Sequence, residues 1–190
     1  VLVEWFIKYP NANFVHLGHQ DNQYLCDCQN CTDMKTEYNT NNSGLLVIFT
    51  NRVARKVSSE IQKITPNRQL TFEMFAYLAS ARAPVNVENN KYVPHHPEVV
   101  PDDNVVIQIA PLGMNITEKI THESNKQFYN DILGWNSLTE NISLWLYNTN
   151  FYWLLFNHKN WDNITEDFRL YSSLGVNDIF SQNLVHRFSA

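Results

Sequence analysis

The chain has 190 residues, 44% of them hydrophobic and 13% aromatic, with a formal net charge of −5. That composition belongs to a folded chain with a substantial core and excludes a disordered one. The charge leaves no basic footprint for nucleic acid or an anionic membrane, and no apolar run approaches the ~20 residues of a membrane span.

In chain order, residues 3–9 read as the tail of a helix closed by Pro10. Phe14 to Leu17 is the first strand, and a long polar loop runs from Gly18 to Asn42. Ser43 reads as the N-cap of a helix in which Leu46, Phe49, Val53, Val57, Ile61 and Ile64 keep helical spacing until Pro66. Leu70 to Tyr77 is the second strand. The stretch from Ala79 to Asp103 carries Pro84, Pro94, Pro97 and Pro101 and reads as an extended loop, with His95 and His96 solvated. Val105 to Ala110 is a continuous apolar strand of the kind covered on both faces. Thr121 caps a helix through Trp135, with Phe128, Ile132 and Trp135 on one side. Ile142 to Tyr147 is the next strand, Asp162 to Ser173 a helix stopped by Gly175, and Val176 to Ser181 the last strand.

Strands alternating with helices predict parallel βαβ units. After the first pair the strands recur roughly every 35 residues, close to the ~30 of one such unit. Long polar, aromatic-rich loops follow the strands and short turns follow the helices, as on the working face of a (β/α)8 barrel. An open doubly wound sheet is the alternative. No Gly-x-Gly-x-x-Gly or Gly-x-x-x-x-Gly-Lys motif follows a strand, which argues against a nucleotide-binding version. The expected fold is therefore α/β: about five βα units forming the C-terminal part of a TIM (β/α)8 barrel. Residues 1–190 would be one partial domain, with roughly three further units expected before Val1 to complete eight.

Chemistry concentrates at Asn13–Cys31, where the first strand delivers His19, Gln20, Asp21 and Asn22 to a solvent-facing rim. Asp21 is a candidate general acid, with Tyr24 as a desolvating neighbour; the plainer reading is a carboxylate capping its own loop. A general acid of this kind often works with a second carboxylate, for which Glu73, Asp102 and Asp103 are candidates. Glu73 lies mid-strand, where pairing with a cation such as Arg82 or Arg52 is the competing role. Trp145 and Tyr147 alternate on one strand and so share a face, either as a stacking platform for a ligand or as core. Asn148, Asn150, Gln182 and Asn183 sit near strand ends, within reach of hydroxyls. Cys26, Cys28 and Cys31 fit one disulfide plus a free thiol, or a metal half-site with His19 as nearest fourth ligand. Pinning of the loop is the favoured role, and no metal is assigned. The Asn-x-Ser/Thr triplets at Asn41, Asn115, Asn141 and Asn163 would matter only in a eukaryotic secretory route.

These residues resemble a family of glycoside-hydrolase-like proteins, the domain of unknown function 4838. The matching positions are Gln20-Asp21-Asn22, Tyr24, Cys26-x-Cys28-x-x-Cys31, Ala76-Tyr77, Pro84, Asp103-Asn104-Val105 and Trp135. Further along come Trp145-x-Tyr147-x-Thr149-Asn150-Phe151, Gly175-Val176 and Phe180-x-Gln182. The resemblance implies a secreted, periplasmic or cell-surface protein hydrolysing O-glycosidic bonds of a poly- or oligosaccharide, without a cofactor. The alternative is a non-catalytic carbohydrate-binding or scaffold barrel. The site expected from the residues is Asp21 with Glu73 in catalysis, with substrate contacts from His16, His19, Asn22, Tyr77, Trp145, Tyr147, Asn150 and Gln182. Members usually carry an acidic residue where this chain has Leu146, and often a Gly where it has Asn183. A second likeness is the strand end His16-Leu17-Gly18-His19-Gln20-Asp21, similar to that of hexosaminidase-type barrels. Gln20 replaces the neighbouring carboxylate there, which argues against substrate-assisted N-acetyl chemistry.

Overall fold

A computed structural model describes residues 1–148 and 160–182. Its helices are α1 (Leu2–Lys8), α2 (Gln29–Glu37), α3 (Asn42–Ile64), α4 (Lys126–Asn136) and α5 (Trp161–Ser173). Its strands are β1 (Phe14–His16), β2 (Thr71–Ala76), β3 (Val85–Glu88), β4 (Lys91–Pro94), β5 (Val105–Ile109), β6 (Ile142–Tyr147) and β7 (Asp178–Gln182). β1, β2, β5, β6 and β7 form one sheet in that order, and every pair is parallel. Each strand lies beside its predecessor, so the winding never reverses. A doubly wound sheet switches direction partway, and no such switch occurs among the five described strands of this sheet. The chain is α/β with a curled, half-barrel parallel sheet. Among the described residues, no helix is long and apolar enough to cross a membrane.

Alternation along the strands sorts the side chains. Phe72, Met74 and Ala76 of β2, Val105, Ile107 and Ile109 of β5, and Ile142, Leu144 and Leu146 of β6 are buried. They form one cluster with Phe6, Val47, Val57 and Ile61 from α1 and α3, Ile132 and Trp135 from α4, and Tyr171 from α5. The opposite, inner face carries His16, Glu73, Phe75, Tyr77, Gln108, Ser143, Trp145, Tyr147, Phe180 and Gln182, a polar and aromatic set. Leu146 belongs to the helix-covered layer. An acid at that position would point into the apolar core, away from Trp145 and Tyr147.

Several expectations are corrected. The loop expected between Gly18 and Asn42 contains α2, a polar helix with no buried residue. The Pro-rich stretch contains the β3–β4 hairpin, turned through Asn89 and Asn90 at φ 49° and 60°. Two positive φ values are what the tight hairpin turn requires, and Asn tolerates them better than most residues. His95 and His96 are half-buried and employed: His95 Nδ1 lies 3.3 Å from Thr40 Oγ1, and His96 accepts the Glu98 N–H. Asn41 caps α3, its Oδ1 accepting the Gly44 N–H at 3.0 Å, while the Ser43 hydroxyl lies 2.6 Å from both Asn41 Oδ1 and the Arg82 carbonyl. Thr121 caps nothing. α4 starts at Lys126, after a 3-10 turn (Glu123–Asn125) that the buried Asn125 ties to the carbonyls of Asn115 and Lys119. Gly175, at φ 79°, ends α5 as the sequence requires.

One side chain links the helix layer to the strand ends. Trp135 is fully buried in the last turn of α4 and donates its indole N–H to the Ala81 carbonyl at 2.8 Å. Ala81 follows a short 3-10 turn, Leu78–Ser80, that leaves β2. Trp135→Phe should keep most of the packing but strand that carbonyl, lowering stability by about 1–3 kcal/mol. Chemical denaturation checks this, and an unchanged midpoint at unchanged slope would contradict it.

Candidate active site

The inner face is layered. In its lower layer, His16 donates from Nδ1 to Glu73 Oε1 at 3.0 Å, and the Ser143 hydroxyl donates to Glu73 Oε2 at 3.3 Å. Glu73 is buried and takes His16 as its partner, not Arg82 or Arg52; Arg52 instead donates to Tyr38. Above it lies Phe75, meeting His16 edge-on at 4.5 Å and Trp145 at 5.5 Å. Gly18 is required here by close approach: a Cβ would lie 2.7 Å from His16 Nε2.

The upper layer surrounds Asp21. The Tyr77 hydroxyl donates to Asp21 Oδ1 at 3.0 Å, and the His19 ring stacks on Tyr77 at 4.7 Å and 17°. His19 Nδ1 faces the Gln20 carbonyl at 2.8 Å; a carbonyl only accepts, so Nδ1 carries the proton. Nε2 lies 3.0 Å from Ser80 Oγ, whose hydroxyl also faces the Phe75 and Tyr77 carbonyls at 3.3 and 3.0 Å. Ser80 is completely buried and also receives the Tyr77 N–H at 3.3 Å. Between them Leu78 adopts φ 50°, a left-handed conformation that is strained for a bulky residue and recurs at functional sites. Burial, followed by the hydrogen bond to Asp21, pushes the Tyr77 phenol up to about 12; burial and the Asp21 charge raise Tyr147 as well.

Trp145 closes this end of the face. It packs on Phe180 at 4.3 Å and donates its N–H to Gln182 Oε1 at 3.0 Å. Tyr147 lies 6.5 Å from Trp145, and Asn148 donates to Ser181 Oγ at 2.8 Å. Asn22 shapes its own loop by accepting the Tyr24 N–H at 2.8 Å. Asn150 and Asn183 lie outside the described residues.

Asp21, His16, His19, Tyr77, Trp145, Tyr147 and Gln182 are thus brought to one face. Glu73 sits four residues before Tyr77 and holds His16 in the lower layer of the face. Asp102 and Asp103 precede β5 and so lie at the opposite end of the sheet, where Asp102 takes a bidentate bond from Arg55 with both N···O distances 2.7 Å. Tyr24 is 85% exposed and desolvates nothing. Two contributors escape sequence reading. Phe75 is signalled by its alternation with Glu73 and Tyr77, whereas no local pattern points to Ser80.

The chain belongs to the DUF4838 family, a domain of unknown function whose family model matches residues 2–189. No curated protein and no solved structure matches it.

A phenol raised on folding favours the fold only while protonated. The Tyr77 contribution is whole below pH about 10 and is lost as pH climbs through about 12. Wild type should therefore lose stability across that window more steeply than Tyr77→Phe. Asp21→Asn should lower the ionisation point of one late-titrating tyrosine in ultraviolet difference spectra. An unchanged tyrosine titration in Asp21→Asn would contradict the contact.

Proposed function

We propose that this DUF4838 chain forms five strands of a (β/α)8 barrel and contributes a carbohydrate site that hydrolyses O-glycosidic bonds. In this reading the protein is secreted, periplasmic or at the cell surface. The observation that carries the proposal is the Asp21 carboxylate, held by the Tyr77 hydroxyl at the carboxyl ends of parallel strands beside Trp145 and Tyr147. Strand carboxyl ends are where barrel enzymes keep their chemistry. Aromatic faces beside hydrogen-bonding groups suit a sugar, which presents C–H faces and hydroxyls.

In this reading Asp21 is the general acid. Its proton passes to the glycosidic oxygen as the bond to the anomeric carbon breaks, water adds to that carbon and gives up a proton that restores Asp21, and the Tyr77 O–H stabilises the carboxylate in between. Tyr77 keeps its own proton at any physiological pH and so acts as an orienting donor. His19 holds the Tyr77 ring from its face, and Ser80 fixes both. His16 and Gln182 line the same face, and Asn22 and Asn150 flank it in sequence. Glu73 positions His16 from below. The second reading, a carbohydrate-binding barrel without turnover, is favoured by one observation. Among the described residues, the carboxylate hydrogen-bonded to Tyr77 is Asp21, with no second acid beside it in that contact.

Asp21→Asn should keep the fold and sugar binding while cutting turnover of an unactivated glycoside by the ~10²–10⁴ typical of proton-transfer groups. Substrates with good leaving groups should suffer much less. Wild-type turnover by the variant on an unactivated substrate would remove Asp21 from catalysis. Sugar binding without any turnover by the intact wild-type protein would favour the second reading. Trp145→Ala should weaken sugar binding by about 0.5–1.5 kcal/mol, the range of specific aromatic contacts. Unchanged affinity by calorimetry would take Trp145 out of the site.

A further inference from the structure

The loop that carries Asp21 runs directly into the cysteine cluster, and nothing in the proposed sugar chemistry uses those thiols. Cys26, Cys28 and Cys31 are all free, and their sulfurs lie within 4.8 Å of one another. A disulfide joins two sulfurs at ~2.05 Å and has no use for a third beside them. Three mutually adjacent sulfurs instead form a triangular face. Tetrahedral zinc with Zn–S bonds of ~2.3 Å needs S···S edges of about 3.8 Å, so a modest closure of these side chains completes the site.

Cys28 stands immediately before α2 and Cys31 lies in its first turn, so the cluster joins the end of the Asp21 loop to the start of the helix. α2 itself needs an anchor. It has no buried residue, so hydrophobic packing holds it weakly, and the ion pair from Lys35 to Asp27 at 3.1 Å is surface-exposed at the aspartate. His19, the nearest fourth ligand by sequence, is engaged through both ring nitrogens by Gln20 and Ser80. Cys26 and Cys28 are exposed, which leaves the fourth position to water.

We infer that Cys26, Cys28 and Cys31 bind one zinc ion, with water in the fourth position, as a structural clip on the loop that presents Asp21. Each thiol releases its proton to solvent as the metal binds, so affinity rises with pH. The clip ties the end of the Asp21 loop to the first turn of α2.

The test is metal content of the intact protein, purified without chelator or reductant, together with cobalt titration of the demetallated, reduced protein. One zinc per chain is expected, with strong thiolate-to-cobalt charge-transfer absorption that saturates at one equivalent. Cys28→Ser should abolish both, whereas His19→Ala should keep both. Should Cys28→Ser fail to fold, the wild-type cobalt spectrum alone decides, because charge transfer reports thiolate ligation directly. A chain lighter by two hydrogens and free of metal would show a disulfide and overturn the site. So would three free thiols that bind no cobalt, or zinc that persists in a folded Cys28→Ser variant.

Discussion

The constraint on which the rest depends is the two-residue alternation of a parallel strand combined with one-way winding. In β2, Phe72, Met74 and Ala76 must lie under the helices if Glu73, Phe75 and Tyr77 are to face inward. β6 repeats the division with Ile142, Leu144 and Leu146 against Ser143, Trp145 and Tyr147. A register slip of one residue would bury two carboxylate-bearing or aromatic layers and expose the core. The inner face is therefore a direct consequence of core formation. Its chemistry is built from the residues that the core rejects.

Positioning at the rim then falls to a few tight contacts. Trp135 fixes Ala81 from the helix layer, Ser80 fixes Tyr77 and His19, and Tyr77 fixes Asp21. Each link joins a different element, and the strained Leu78 sits in the middle of the chain of contacts. Asp21 lies on a loop, yet its orientation is imposed by a strand residue and a buried serine. That transfers rigidity from the sheet to the group proposed to react.

Much of this was legible in the sequence. The five parallel strands followed from apolar runs bounded by Pro, Gly and Asn, and the pairing of Trp145 with Tyr147 on one face followed from period two. Asp21 stood out because it ends a strand among polar neighbours. What escaped was non-local or weakly patterned. α2 shows no apolar stripe because it buries nothing. The β3–β4 hairpin hid behind its prolines, although Val85-Asn86-Val87-Glu88 alternates and Asn89-Asn90 is a turn pair. The partner of Glu73 was misjudged because a histidine on the adjacent strand lies directly across in register, a fact only pairing reveals. The alternation of β6 places Leu146, where members usually carry an acid, on the helix-covered side of the sheet.

The central claim is that the rim formed by Asp21, Tyr77, Trp145 and Tyr147 receives a sugar. The most direct measurement is a crystal structure of the intact Asp21→Asn protein with an oligosaccharide that it binds. The account predicts a sugar ring against Trp145 or Tyr147, with a glycosidic oxygen within hydrogen-bond distance of the residue at position 21. An oligosaccharide seated elsewhere, with this rim empty, would contradict it.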